Sequence, residues 1–175
     1  MEKTYKTFRI IGIDWLQKYI DPENEVIDFG CGLMPATRKL NCKKLIAIEK
    51  WFPYVNQLRK ELFHLKHIHV WELALAGPFL SNIESNSTDI SLAIDVVEHF
   101  EKEDALRLIK HMERISRKRV IIFTPEGFVP NEREENTELQ RHRCGFLPIE
   151  LEEIGYEVFK RIGGDMPSFL AVKEL

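Results

Sequence analysis

The stretch "EVIDFGCGLMP", residues 25 to 35, sets Asp28 just ahead of Gly30 and Gly32 after a short apolar run. A strand that ends in so tight a turn brings main-chain N–H groups close to a ligand, while a carboxylate at its mouth receives a cation. Glu49 follows at the end of a second apolar run. The offset is close to the roughly 20 residues at which an acid accepts hydrogen bonds from a ribose diol. A pyrophosphate would be repelled by Asp28, because turns that bind one aim a helix N-terminus and backbone N–H groups at negative charge. An ammonium is attracted instead. A nucleoside carrying a cationic tail therefore suits this turn better than a dinucleotide. Further along, "DVVEHF" supplies Asp95, Glu98 and His99, and "QRHRCGF" supplies Arg141, His142 and Arg143. Imidazoles there are suited to removing a proton at neutral pH, His99 first and His142 second.

Such residues work only if a scaffold gathers them. Five brief runs rich in Val, Ile and Phe (26–29, 45–48, 68–71, 90–94 and 120–123) read as buried parallel strands. Helix-compatible stretches lie between them at 54–65 and 101–116. In the latter, Ala105, Leu108, Ile109, Met112 and Ile115 form an apolar stripe. The alternation predicts an α/β fold, a doubly wound, mostly parallel sheet with helices on both faces. Ile10, Ile11, Trp15, Leu16, Tyr19 and Ile20 recur at helical spacing and predict an opening helix ended by Asp21 and Pro22. Near the C-terminus, 156–162 and 168–172 flank a turn with Gly163, Gly164 and Pro167, the pattern of an antiparallel hairpin. In open sheets of this kind ligands bind beyond the carboxyl ends of the strands, where Asp28, Gly30 and Gly32 fall.

Composition limits the partners. With 175 residues and 44% hydrophobic content the chain suits a single domain over 1–175. A net charge of -3 offers no global field for a polyanion, which argues against nucleic acid. Arg114, Arg117, Lys118 and Arg119 cluster where the long helix should end, and complementing its dipole accounts for them. Cys31, Cys42 and Cys144 are odd in number and widely spaced, so neither a disulfide framework nor a zinc finger is indicated. No apolar run approaches the roughly 20 residues that cross a bilayer. A cytoplasmic protein without membrane partners is the expectation; oligomeric state is not encoded legibly.

Among nucleosides with a cationic tail, S-adenosylmethionine carries a ribose, an ammonium and a sulfonium. "VIDFGCG", the acid of "LIAIEKW", "DISLAIDVVEHF" and "KRVIIFTPEGF" stand in the order and spacing of the class I S-adenosylmethionine-dependent methyltransferases, which this chain resembles over residues 24 to 126. The resemblance implies a Rossmann-like sheet of seven strands with the last antiparallel. It implies that Asp28, Gly30, Cys31 and Gly32 hold the amino acid portion of S-adenosylmethionine and that Glu49 receives the ribose hydroxyls. Lys50 or Trp51 would flank the adenine, Glu72 would meet its amino group, and Asp95 and Val96 would line the floor near the sulfonium. Met34 stands where the family often has a third glycine.

Methyl transfer is an in-line displacement, so the protein must align an acceptor nucleophile and exclude water. The expected acceptor is a small molecule or sugar-like compound reacting through O or N, with S-adenosylhomocysteine as product. The alternatives are an RNA methyltransferase and a non-catalytic binding or scaffold protein of the same fold. Asp95, Glu98 and His99 also resemble the E-x-x-E-H arrangement that holds a divalent metal in some O-methyltransferases. Asp95 has a shorter arm than the glutamate there, and a metal-free site is the reading adopted. The long segment 126–146, with the acids Glu132, Glu134, Glu135 and Glu138, is expected to cap the acceptor, Arg141 and Arg143 pairing with its carboxylate or phosphate.

Overall fold

The computed structural model describes residues 3–75, 78–131 and 137–175. Its centre is one sheet of eight strands in the order β1-β7-β8-β6-β5-β2-β3-β4. In chain order these are β1 (Lys6–Phe8), β2 (Glu25–Phe29), β3 (Lys44–Glu49), β4 (Ile68–Glu72), β5 (Thr88–Ile94), β6 (Ser116–Pro125), β7 (Glu157–Arg161) and β8 (Ser168–Glu174). The helices are α1 (Asp14–Gln17), α2 (Phe52–Leu62), α3 (Lys102–Ile115), α4 (Thr137–Gln140) and α5 (Pro148–Glu152). All five runs expected as parallel strands are strands, and β2 pairs in parallel with both β3 and β5. The expected hairpin is β7–β8; β8 inserts between β7 and β6 and runs antiparallel to both.

Alternation along the strands separates two cores. Ile27, Phe29, Ile46 and Ile48 face α3 and α5, while Val26, Leu45 and Ala47 face α1 and α2. The stripe expected on α3 is fully buried. Alternating residues of a strand point to opposite faces, so a sheet covered on both sides needs the near-continuous apolar runs seen here.

Two expectations change at the N-terminus. The sheet has an eighth strand, β1, parallel to β7, and the opening helix shrinks to the single turn α1. Gly12, at φ +53°, breaks the chain between them, a conformation from which a helix cannot be continued. Ile10 and Ile11 are left exposed, whereas Phe8 is buried, its ring 5.9 Å from Trp15 and 6.3 Å from Phe123. A strand of three residues with one apolar anchor has too little periodicity to be read in advance. The basic cluster also differs: α3 ends at Ile115, and Arg117, Lys118 and Arg119 belong to β6. Arg117 and Lys118 pair with Asp89, and Arg119 with Glu174, so ion pairing rather than a helix dipole accounts for these three. Among the described residues no helix is long and apolar enough to cross a membrane, and the three cysteines are buried and free.

Candidate active site

β2 is the point at which the chain turns back across the sheet, with β3 on one side and β5 on the other. Parallel neighbours that leave in opposite directions open a crevice beyond their carboxyl ends. The turn after β2 holds Gly30, Gly32 and Met34 at φ +66°, +53° and +54°. Gly30 is required twice over: its backbone is left-handed, and a Cβ there would sit 2.9 Å from Val96 Cγ1 and 3.0 Å from Cγ2. Met34 holds a left-handed conformation that favours glycine. Its side chain is wholly buried, so packing offsets a backbone strain of about 1 kcal/mol.

Asp28 at the mouth of the turn is buried, only 2% exposed. Thr37 Oγ1 donates to its Oδ2 at 2.5 Å. Burial pushes the carboxyl up to about 7; the Thr37 hydrogen bond opposes this and the Glu49 charge adds to it. The group thus lines the crevice as an acid that a neighbouring cation helps to ionise at neutral pH. Cys31 beside it is buried, its N–H donating to the Ile48 carbonyl at 3.0 Å, and burial raises its thiol far above the ordinary range.

Glu49, the last residue of β3, accepts the Gly32 N–H at 3.0 Å through Oε2 and the Lys50 and Trp51 N–H groups at 2.8 Å through Oε1. The carboxylate therefore clamps the glycine turn to the start of α2. Trp51 caps that helix with its ring 4.2 Å from Tyr54, and Lys50, Trp51 and Tyr54 all line the crevice. Glu72 does not reach it. The pleat of β4 turns this side chain toward Arg59, 3.9 Å away, and Ala74 and Leu75 form the wall instead.

Asp95 follows β5 at φ +53°, its N–H donating to the Phe123 carbonyl at 2.9 Å. Asp95 and Val96 line the crevice. The turn after them buries Glu98 to 2% exposure. Thr124 Oγ1 donates to Glu98 Oε2 at 3.1 Å, while Oε1 has no partner among the described residues. Burial, then the charge of Asp95, pushes the Glu98 carboxyl up to about 8. His99 stands beside His142, ring centroids 4.8 Å apart. Burial and then the His142 charge lower the pKa of His99, which favours the neutral imidazole.

The two histidines come from distant segments. The 126–146 segment is pinned at its base, where Gly127 N–H donates to the Phe146 carbonyl at 2.8 Å and Gly145 lies too close to Gly127 for any Cβ. Of its described residues, Val129, Asn131, Gln140 and His142 line the crevice. Glu132, Glu134 and Glu135 lie outside the described residues. The two arginines expected to pair with the acceptor differ in position. Arg141 does not line the crevice, and Arg143, which does, hydrogen-bonds Glu138 at 3.1 Å and lies 3.9 Å from Glu101. A segment that folds back satisfies its own charges locally. Arg161 at the end of β7 and the buried Ser168 that opens β8 also line the crevice. Neither sits in a recognisable motif, and nor does Thr37; a hydroxyl nine residues after an acid was the only trace of the Asp28–Thr37 bond.

Together these walls enclose about 980 Å³, from Asp28 and Glu49 at one end to His99, His142 and Ser168 at the other. No family model and no curated relative matches the chain. Solved structures do. A SAM-dependent methyltransferase from Aquifex aeolicus has a TM-score of 0.63 at 16% identity, covering 92% of this chain and 88% of that one. The methyltransferase domain of bacterial CtHen1-CN has a TM-score of 0.62 at 19% identity over 93% and 95%. The N-terminal domain of EvdMO1, solved in the presence of SAH and D-fucose, reaches 0.71 at 11% identity over 93% and 82%. The chain thus has the Rossmann-like fold of the class I SAM-dependent methyltransferases over nearly its whole length.

Proposed function

We propose that this protein is a cytoplasmic, single-domain methyltransferase that moves the methyl group of S-adenosylmethionine to an oxygen or nitrogen of a small-molecule or sugar-like acceptor. The observation that carries this reading is one continuous crevice. It has an acid held near neutrality at one end, a glycine at which no Cβ fits, and two imidazoles at the other end. Its volume is ample for a nucleoside and a small acceptor together.

When bound, S-adenosylmethionine supplies the electrophilic methyl on its sulfonium. The chain's residues do the rest. Asp28, fixed by Thr37, takes the ammonium of the amino acid tail, and Gly30 and Gly32 let the backbone approach it. Glu49, held by three N–H groups, turns its remaining lone pairs to the ribose hydroxyls. Trp51 flanks the base, with Leu75 opposite. Val96 closes the floor, and the 126–146 segment excludes water over the acceptor. His99 receives the acceptor proton, with His142 beside it. The sugar-like acceptor class is supported by EvdMO1, whose structure was solved with D-fucose present.

Calorimetric titration of the full chain with S-adenosylmethionine and with S-adenosylhomocysteine is the test. One site per chain and a raised melting temperature are expected. Absence of both heat and thermal shift would overturn the reading and leave a scaffold of this fold.

A further inference from the structure

We propose that Arg161 and Ser168 form an anion-binding subsite that selects an acceptor bearing a single carboxylate group. The two residues face each other across the β7–β8 hairpin. Lys160 pairs with Phe169 in that antiparallel ladder, so the next pair toward the turn is Arg161 with Ser168. Directly opposed residues of such a pair share one face, with Cβ atoms about 4.5–5.5 Å apart. Alternation puts Ser168 on the face of Leu170 and Val172, and Arg161 on the face of Phe159, the side of the sheet on which Phe123 is buried. Phe123, Arg161 and Ser168 all line the crevice.

Three observations distinguish this pair from incidental polar residues at a strand end. The half-buried Arg161 guanidinium has neither a hydrogen bond nor an ion pair among the described residues, although the preceding Lys160 is paired with Glu126 at 2.8 Å. A cation withdrawn from water without a counter-charge is costly, and an anion offsets that cost. Ser168, in turn, is 5% exposed, and its Oγ has no partner among the described residues. With no bond to break, one χ1 rotation turns that hydroxyl to an anion seated against Arg161. The hairpin turn, finally, is shaped around the guanidinium: a Cβ on Gly164, at φ +98°, would lie 2.5 Å from Arg161 Nη2 and 2.6 Å from Cζ.

Strand order sets the size of the acceptor. Val96 follows β5, and β6 and β8 lie between β5 and β7. Neighbouring strands are about 4.8 Å apart, so β7 stands roughly 14 Å from β5. The arginine side chain spans part of that gap and a sugar-sized body fills the rest. One guanidinium matches one negative charge: Asp95, Glu101 and Asp104 line the same crevice, and a phosphate dianion would meet their repulsion with a single cation to offset it. A carboxylate also presents two oxygens to the planar guanidinium fork. The identity of the acceptor rests on the methyltransferase reading; the anion subsite does not. Held at β7, the carboxylate is an anchor and not the nucleophile, so the acceptor is a sugar acid or hydroxy acid that reacts through another oxygen or nitrogen.

The test titrates the full chain, with and without S-adenosylhomocysteine, with D-glucuronate, D-lactate and benzoate, each against its neutral amide, and with inorganic phosphate. Binding is followed by NMR of the arginine Nε–H signals. At least one carboxylate should bind at millimolar concentration or below and move the signal that Arg161→Gln removes, while its amide does not. Arg161→Gln should weaken that binding about 10- to 100-fold and Ser168→Ala about 3- to 10-fold, with Arg161→Lys recovering part of the loss. Melting curves confirm that the variants are folded. No carboxylate bound, or affinity unchanged in both Arg161→Gln and Ser168→Ala, would overturn the subsite; phosphate bound more tightly than every carboxylate would overturn the monoanion. S-adenosylhomocysteine bound with no carboxylate defeats only this inference, and a carboxylate bound at Arg161 without any binding of S-adenosylhomocysteine defeats only the methyltransferase assignment.

Discussion

Asp28→Asn tests the electrostatics at the mouth of β2. The Asp28 carboxyl is pushed from 3.8 up to about 7 chiefly by burial, which is worth about 4 kcal/mol between its two protonation states. Because the folded value lies above the unfolded one, this group stabilises the ligand-free protein below pH 4. That contribution is lost as pH rises to about 7. A bound ammonium reverses the preference, so ligand binding must expel a proton wherever Asp28 starts protonated. Affinity for S-adenosylmethionine should therefore rise about 20- to 30-fold from pH 5.5 to pH 7.5 and then level off. In Asp28→Asn the shape and the Thr37 donor remain but the charge does not. Its affinity should lose this pH dependence and fall about 10- to 100-fold at pH 7.5, the range of one charge-assisted hydrogen bond. Calorimetry in two buffers of different ionisation enthalpy counts the protons directly. A wild-type affinity that is flat over this range, no proton exchange, or a variant that follows the wild-type curve would each refute the argument.

Further outcomes are expected at four positions. Gly30→Ala, with its Cβ driven into Val96 at φ +66°, should lower stability by about 1–3 kcal/mol and abolish cofactor binding, read from melting curves and calorimetry. Met34→Gly relieves the left-handed strain but empties a fully buried position. The cavity dominates, and a net loss of about 2–4 kcal/mol is expected in denaturant titration. Glu49→Gln replaces the acceptor of three N–H groups by one oxygen and an NH₂; cofactor affinity should fall about tenfold or more with a smaller loss of stability. His99→Gln should lower kcat about 10²- to 10⁴-fold with little change in cofactor affinity, measured by single-turnover methyl transfer once an acceptor is in hand.

What could be read in the chain was local. The five parallel strands and the stripe of α3 follow from apolar spacing, because a sheet covered on both faces needs those runs and a helix packed on it needs that period. The terminal hairpin was legible from its turn residues, and the turn after β2 from its two glycines. Gly30, Cys31, Gly32, Lys50, Trp51, Asp95 and Val96 were named from motif position and do line the crevice, because a strand end and the turn after it are fixed by neighbouring residues.

Long-range packing decided the rest. Whether Glu72 faced the crevice or Arg59 depended on the pleat of an edge strand against α2. Whether Arg143 met a ligand or Glu138 depended on how a long segment folded back. That Asp28 is held near neutrality depended on Thr37 and on the core closing around it. Glu98, His99 and His142 meet through a return path of more than forty residues, and spacing along the chain carries no information about such a meeting. Residue types and their local period specify which face is apolar and where a turn falls. Burial, and with it the charge state of each acid and imidazole, exists only once distant segments have excluded water from the same place.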